Sequence, residues 1–413
     1  MASKIRILVG IAAIVVAAAT VSRPLIELLL ACLVVGVGLV GRELLSPHRE
    51  LPPASAETLR AVHAVVERWG EDSLAPFITR PDKAFRFTAG GVAAYRVIGD
   101  TAVVSGDPVG PDAAVPEILA DLREAARAGG MKLVVYGSSP RHIAAYRKLG
   151  LRALCTGEEA VVDPRRFSLE GRAVRKLRQS VARVQRRGWD VTALTGDAID
   201  PALAAEIAAV EAAWRAEHGR VLGFAMAMGN FDPGLRPADL YLLGRTPEGE
   251  LRAVMRFLSH CGKLSLDTMR RVGETPNGLN EALVCRALEV ARERGVEEVS
   301  LNYAGLGHLV RRGCRDGRVA RALNGLLMRI LGHRFQMERL VRFCEKFSPE
   351  WRPRYLVYES RLALPRSILR VLQAEGYLPH PMLSFPPAAR GALRARVDGL
   401  LSAFRPLQWR AGR

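Results

Sequence analysis

The N-terminal stretch constrains this chain more than any other. Ile7 to Val21 is a continuous run of apolar residues, Gly and Thr, and a second, largely apolar run extends from Leu25 to Gly41. Ser22-Arg23-Pro24 separates the two. Each run is slightly shorter than the ~20 residues a helix needs to cross a bilayer. Together they predict a transmembrane helical hairpin over residues 1–45, with Pro24 suited to the first turn of the second helix. Lys4 and Arg6 precede the first run, and Arg42, His48 and Arg49 follow the second. Cationic outer flanks stay on the cytoplasmic side, so the rest of the chain is expected at the cytoplasmic face of the cell membrane. A cleaved signal peptide is the competing reading. The apolar region continues past residue 21, and the chain beyond it is cationic without a disulfide pattern, which favours the anchor.

After a Pro-rich linker at residues 46–57 the composition becomes globular. Over the whole chain 49% of residues are hydrophobic and 25% charged, which excludes wholesale disorder. The length accommodates two or three domains with full cores. The formal charge of +18 points to an anionic partner such as RNA, acidic lipid or both, unless it reflects only an Arg-rich proteome. The six cysteines, Cys32, Cys155, Cys261, Cys285, Cys314 and Cys344, form no CxxC pair. The histidines form no HExxH. A disulfide framework and a metal centre are therefore not expected. Gly305-Leu306-Gly307 lacks the Lys-Ser/Thr of a P-loop and the spacing of a dinucleotide site. No cofactor is expected.

The apolar periodicity predicts two mixed α/β (α+β) units. In the first, over 58–164, Thr58 to Gly70 has helical spacing. Gly91–Ile98 and Thr101–Ser105 read as a hairpin around Gly99-Asp100. The rigid loop Gly106-Asp107-Pro108-Val109-Gly110-Pro111 follows, then a helix over 115–128, a strand over 132–136 and a helix over 141–149. In the second, over 189–385, the spacing predicts a helix over 202–217 and strands over 241–243, 251–259 and 263–269. A helix over 278–294 and a strand over 299–303 complete it. The recurring order suggests a duplicated fold. Between them, residues 165–188 carry nine basic residues against one acidic, Glu170. Arg172, Arg175, Lys176, Arg178, Arg183, Arg186 and Arg187 are the candidates for a helix that contacts a polyanion, a solvated face being the alternative. The basic tail, 386–413, has apolar residues that share one helical face, for a membrane surface or for the domain itself.

Several segments in order resemble the cytosolic domain of the phosphatidylglycerol lysyltransferase/alanyltransferase family, the multiple-peptide-resistance-factor proteins. They are Tyr95-Arg96-Val97 leading to Gly106-Asp107-Pro108-Val109-Gly110, and the basic Arg175-Lys176-Leu177-Arg178 stretch. Next come Leu264-Ser265-Leu266-Asp267-Thr268-Met269-Arg270 and Asn277-Gly278-Leu279-Asn280-Glu281. The last is Phe343-Cys344-Glu345-Lys346-Phe347 through Trp351-Arg352-Pro353-Arg354-Tyr355-Leu356. The resemblance covers roughly 60–377. It implies tandem acetyltransferase-like (GNAT) folds and attack by the headgroup hydroxyl of phosphatidylglycerol on the ester of an aminoacyl-tRNA, with no ATP, metal or coenzyme. Full-length members usually carry a large multi-span domain where two apolar runs stand here, so product flipping is not expected.

The same resemblance implies a catalytic site at Asp267 and Arg270. Asp267 would hold the substrate ammonium or orient the hydroxyl, and Arg270 would bind lipid phosphate or the tRNA 3′ end, as a planar guanidinium suits phosphate. A surface ion pair is the plain alternative. Lys346 is expected to bind phosphate or a developing oxyanion, and Glu281 to be a second carboxylate or a favourable charge at a helix start. Asn302 and Tyr303, at a strand end, are weaker candidates. Two other functions fit the same residues: a transferase acting on another cell-envelope precursor, and a non-catalytic membrane-tethered protein that binds RNA or lipid.

Overall fold

The computed structural model describes residues 54–172, 174–219, 223–227, 236–305 and 337–378. The expected hairpin at 1–45 and the tail at 386–413 lie outside them. Among the described residues no helix is long and apolar enough to cross a membrane.

Among the described residues eleven strands form one mixed sheet. In chain order they are β1 (Ala84–Thr88), β2 (Gly91–Ile98), β3 (Thr101–Ser105), β4 (Lys132–Ser138), β5 (Arg152–Val162), β6 (Asp190–Thr195), β7 (Leu240–Arg245), β8 (Leu251–His260), β9 (Lys263–Arg271), β10 (Val299–Gly305) and β11 (Glu350–Tyr358). The helices are α1 (Ala56–Trp69), α2 (Val115–Ala128), α3 (Ile143–Lys148), α4 (Arg175–Arg186), α5 (Pro201–His218), α6 (Leu279–Glu293), α7 (Met337–Glu345) and α8 (Leu364–Ala374). Across the sheet the order is β1-β2-β3-β4-β11-β5-β10-β9-β8-β7-β6.

Both halves run the same course. Three antiparallel strands (β1–β3 and β7–β9, the latter extended at the edge by β6) lead to a helix, then to a strand parallel to the third of them (β4 beside β3, β10 beside β9), then to a helix and a final strand. The final strands trade places. β5 pairs with β10 of the second half, β11 pairs with β4 of the first, and β5 and β11 pair with each other at the centre.

Alternation along the strands sorts the apolar side chains into layers on either face. In the first half, α2 buries Val115, Ile118, Leu119 and Leu122, spaced three and four apart, against Ala93, Val104 and Val135. α8 covers the other face with Val371 against Val103, Val134 and Leu356. In the second half, α6 is buried along most of its length against Leu242, Met255, Phe257 and Leu266. On the opposite face α5 packs Ile207 and Val210 against Tyr241, Leu243 and Val254. Asp200 caps α5 by accepting from the Leu203 N–H at 2.7 Å, and Pro201 opens it.

The centre of the sheet holds charge as well as apolar groups. Arg354 of β11 donates to Glu159 of β5 at 2.5 and 2.9 Å and to Asp72 at 2.8 Å. All but Asp72 are under 4% exposed. Such a network is tolerated only when each member is satisfied.

Candidate active site

β9 and β10 are laddered only at Leu264–Val299 and Ser265–Ser300, and then they diverge. On β9, just past that point, the ladder to β8 slips: Phe257 faces Leu266 but Arg256 faces Thr268, leaving Asp267 as the extra residue of a β-bulge. Bulges of this kind re-aim a side chain. The Asp267 carboxylate, 0% exposed, meets the guanidinium of Arg256, 4% exposed, with a 2.7 Å bond from Nε to Oδ2 and a second contact from Nη2. Burial alone would make Arg256 easier to deprotonate, but the Asp267 charge prevails and holds its pKa above the usual guanidinium range. The alternative of a surface ion pair is thereby replaced by a buried one. Sequence reasoning missed Arg256. Its signal was a single Arg inside the apolar run Ala253 to Leu258.

Arg270 lies three residues along, on the face covered by α5. Its guanidinium carbon is 3.7 Å from the Trp214 ring centre, and its Nε is 3.5 Å from Glu211 Oε2. Burial lowers its pKa. The Nε atom is buried and faces Glu211 at the edge of hydrogen-bond distance. Trp214 in turn stacks on His218, with centroids 4.7 Å apart.

Lys346 and Glu281 find each other instead. Lys346 Nζ donates to Glu281 Oε1 at 2.6 Å and lies 5.6 Å from the Phe343 ring centre. Glu281 stands in the first turn of α6, on the face opposite α5. The sheet therefore separates the four residues into two pairs, Asp267 with Arg270 toward α5 and Lys346 with Glu281 toward α6. Proximity in sequence pattern did not reveal this division, because alternation across a bulge changes which face a residue serves.

The basic stretch folds as α4 over part of its length. Leu177 and Val184 are buried against α6. Arg172, Arg175, Lys176, Arg178, Arg183, Arg186 and Arg187 are all exposed. Arg178 donates to the Leu169 carbonyl at 2.6 Å and Arg183 to the Asn277 carbonyl at 3.5 Å. Arg175, Lys176, Arg186 and Arg187 make no ion pair with a carboxylate of the described residues. Gly278 explains why Asn277-Gly278 precedes α6. Its φ is +105°, and an added Cβ would meet Ser180 of α4 at 2.9 Å.

The Gly106–Gly110 loop serves the first half. Asp107 accepts from the Ser139 N–H at 2.8 Å and the Tyr146 hydroxyl at 3.0 Å, and Val109 ladders with Val92. The loop lines a cleft of about 280 Å³ with Arg141, His260, Lys263 and Arg354. Neither Asp267 nor Arg270 lines it. His260 is neutral there, its pKa pushed down to about 4 by burial. Its two ring nitrogens are taken by the Gly70 carbonyl and Ser265 Oγ, at 2.8 and 3.0 Å.

Comparison with known proteins bears on this arrangement. Residues 63–358 match the family model described as phosphatidylglycerol lysyltransferase, C-terminal. The chain is 36% identical over 350 residues to the lysylphosphatidylglycerol biosynthesis bifunctional protein LysX of Nocardia farcinica, covering 82% of this chain and 31% of that protein. The LysX of Mycolicibacterium gilvum is 35% identical over 336 residues, covering 79% of this chain and 30% of that one. The chain thus spans just under a third of these curated relatives. A solved structure of the C-terminal domain (DUF2156) of a putative lysylphosphatidylglycerol synthetase from Agrobacterium fabrum superposes with a TM-score of 0.67 at 26% identity, covering 77% of this chain and 97% of that one. L-PGS from Bacillus licheniformis shares the fold, with a TM-score of 0.68 at 23% identity, covering 80% and 99%. The matched residues contain the bulge at Asp267, Arg270, α4 and the exchanged strands, and the chain belongs to the phosphatidylglycerol lysyltransferase C-terminal family.

Proposed function

We propose that this protein transfers an aminoacyl group, lysyl or alanyl, from charged tRNA to the headgroup hydroxyl of phosphatidylglycerol. One observation carries the reading. The family match runs through the diverging strands, where a bulge buries Asp267 against Arg256 and sets Arg270 beside it. The lipid hydroxyl oxygen attacks the ester carbonyl, an oxyanion forms, and collapse releases the ribose oxygen of tRNA. The proton leaves the lipid hydroxyl and ends on that ribose oxygen. The ester is already activated, so the protein's task is to orient the reactants and stabilise charge. In this reading Arg270 binds lipid phosphate or a phosphate at the tRNA 3′ end through its planar guanidinium. Asp267 acts in concert with Arg256, as its carboxylate is committed to that guanidinium. Lys346 and Glu281 form a supporting pair at the start of α6. The exposed cations of α4, Arg172 to Arg187, receive the tRNA backbone.

The finer architecture is part of the same proposal. The recurring strand and helix order supports tandem GNAT-like units over 58–164 and 189–385, joined by 165–188. The N-terminal hairpin would hold them at the cytoplasmic face of the cell membrane, near the lipid. The test uses the full chain in phosphatidylglycerol vesicles with lysyl-tRNA or alanyl-tRNA. Aminoacylated lipid, detected by mass spectrometry, is expected with one of them. No product with either would overturn the reading.

A further inference from the structure

Asn302 occupies the point where β9 and β10 part. Its φ is +74°, in the left-handed region that side chains other than Gly seldom adopt and Asn tolerates best. The side chain spends every polar group it has. Nδ2 donates to the Leu266 carbonyl at 2.9 Å and to the Met226 carbonyl at 3.0 Å, and Oδ1 accepts from the Tyr303 N–H at 2.6 Å. Leu266 is the residue immediately before the bulge. Met226 belongs to a segment held by Arg80 of the first half and by Glu375 at the end of α8. Glu375 accepts from the Phe224 and Ala225 N–H groups at 2.9 and 3.1 Å, and Arg80 donates to the Gly223 carbonyl at 2.6 Å and also bonds the Ala227 carbonyl. The Asn302 N–H itself donates to Ser300 Oγ at 3.1 Å, and Ser300 donates to Glu159 at 2.5 Å, within the buried Arg354 network.

We infer that Asn302 is a positioning residue for the transfer: it ties the strand that carries the Asp267 bulge to the anchored 223–227 segment across the gap between β9 and β10. The β10 ladder ends at Ser265, so backbone pairing with β10 no longer fixes Leu266 there. The amide of Asn302 supplies the missing tie. Without it the bulge would keep its sequence but lose its registration, and displacements of about 1 Å can cost on the order of 100-fold in rate. This inference rests on the reading of the Asp267 neighbourhood as the reacting site.

Asn302→Gly separates the two reasons for an Asn here, because Gly accepts the positive φ while removing the amide. Rates of lysyl- or alanyl-phosphatidylglycerol formation by the full chain in phosphatidylglycerol vesicles, thermal unfolding, and Asp267→Asn as a control form the experiment. The expected result is a kcat at least about tenfold lower, with KM for charged tRNA and lipid within about twofold and little change in Tm. A kcat within twofold of wild type, alongside an inactive Asp267→Asn, would overturn the positioning role and leave the site standing. A fully active Asp267→Asn would instead remove the site reading itself, and this inference with it. If Asn302→Gly melts below the assay temperature, Asn302→Ser decides. Its hydroxyl can satisfy at most one carbonyl, so a folded variant with lowered kcat supports the role and one with wild-type kcat refutes it.

Discussion

At the residue scale, the Asp267–Arg256 pair means that one substitution does two things. Asp267→Ala removes a proposed site carboxylate and deprives a buried guanidinium of its closest counter-charge, with Asp239 the remaining one nearby, which costs up to about 3–5 kcal/mol of stability. Replacing both partners is cheaper, so Asp267→Ala with Arg256→Ala should recover part of that stability while remaining inactive. Denaturant unfolding beside turnover measures both. Recovered activity in the double variant would take Asp267 out of the site. His260 supplies a second test. Its folded pKa of about 4 lies below the usual 6.5, so the unfolded chain binds the proton first as the pH falls. Stability is full above about pH 6.5 and declines toward pH 4, by about 3 kcal/mol from this residue. His63, also held near 4 by burial, acts in the same window. His260→Gln should therefore flatten, without abolishing, the stability slope between pH 6.5 and 4. An unchanged slope would contradict the assignment. Asp267, Arg270, Lys346 and Glu281 were named from the family resemblance, on the motifs that carry it. Their partners were not, since Arg256, Glu211 and Trp214 lie far along the chain or on another element and meet them only through the fold.

At the element scale, amphipathic helices and the β2–β3 hairpin were plain in the sequence. α2 is found over the expected 115–128, and α5, α6, β8 and β9 lie within two residues or so of their expected bounds. The central strands were not. β5 contains Gly157-Glu158-Glu159, which reads as a polar loop until Arg354 and Ser300 are known to satisfy the buried Glu159. β11 contains Pro353, which argues against an inner strand because it cannot donate to a ladder. Its pairing with β4 begins only at Tyr355, so Pro353 has a neighbour on one side alone. The basic helix carries its own prediction. Changing Arg175, Lys176, Arg186 and Arg187 to Gln should weaken tRNA binding and shallow its salt dependence by up to about one unit of slope for each phosphate no longer neutralised. Exposed side chains with no carboxylate partner among the described residues should alter stability by no more than about 0.5 kcal/mol. An unchanged salt slope would show that the RNA lies elsewhere.

At the scale of the whole molecule, the exchange of β5 and β11 makes one sheet of two repeats. Residues 54–378 should unfold in a single cooperative transition, with calorimetric and van't Hoff enthalpies in agreement. Two resolved transitions would mean that the halves are stable separately. The proposed anchor predicts that the full chain resists alkaline extraction from membranes and that removal of residues 1–45 releases it; release of the intact chain would refute the hairpin. The exchange also has a consequence on the ribosome. β4 and β5 emerge early, yet the strand that lies between them is made only after the chain has grown from Val162 to Glu350. At about 5–20 residues per second that interval is roughly 10–40 s. Throughout it the nascent chain carries open strand edges that can pair with a neighbour on the same message, so the fold that unites the repeats also makes their synthesis the period of greatest exposure to aggregation.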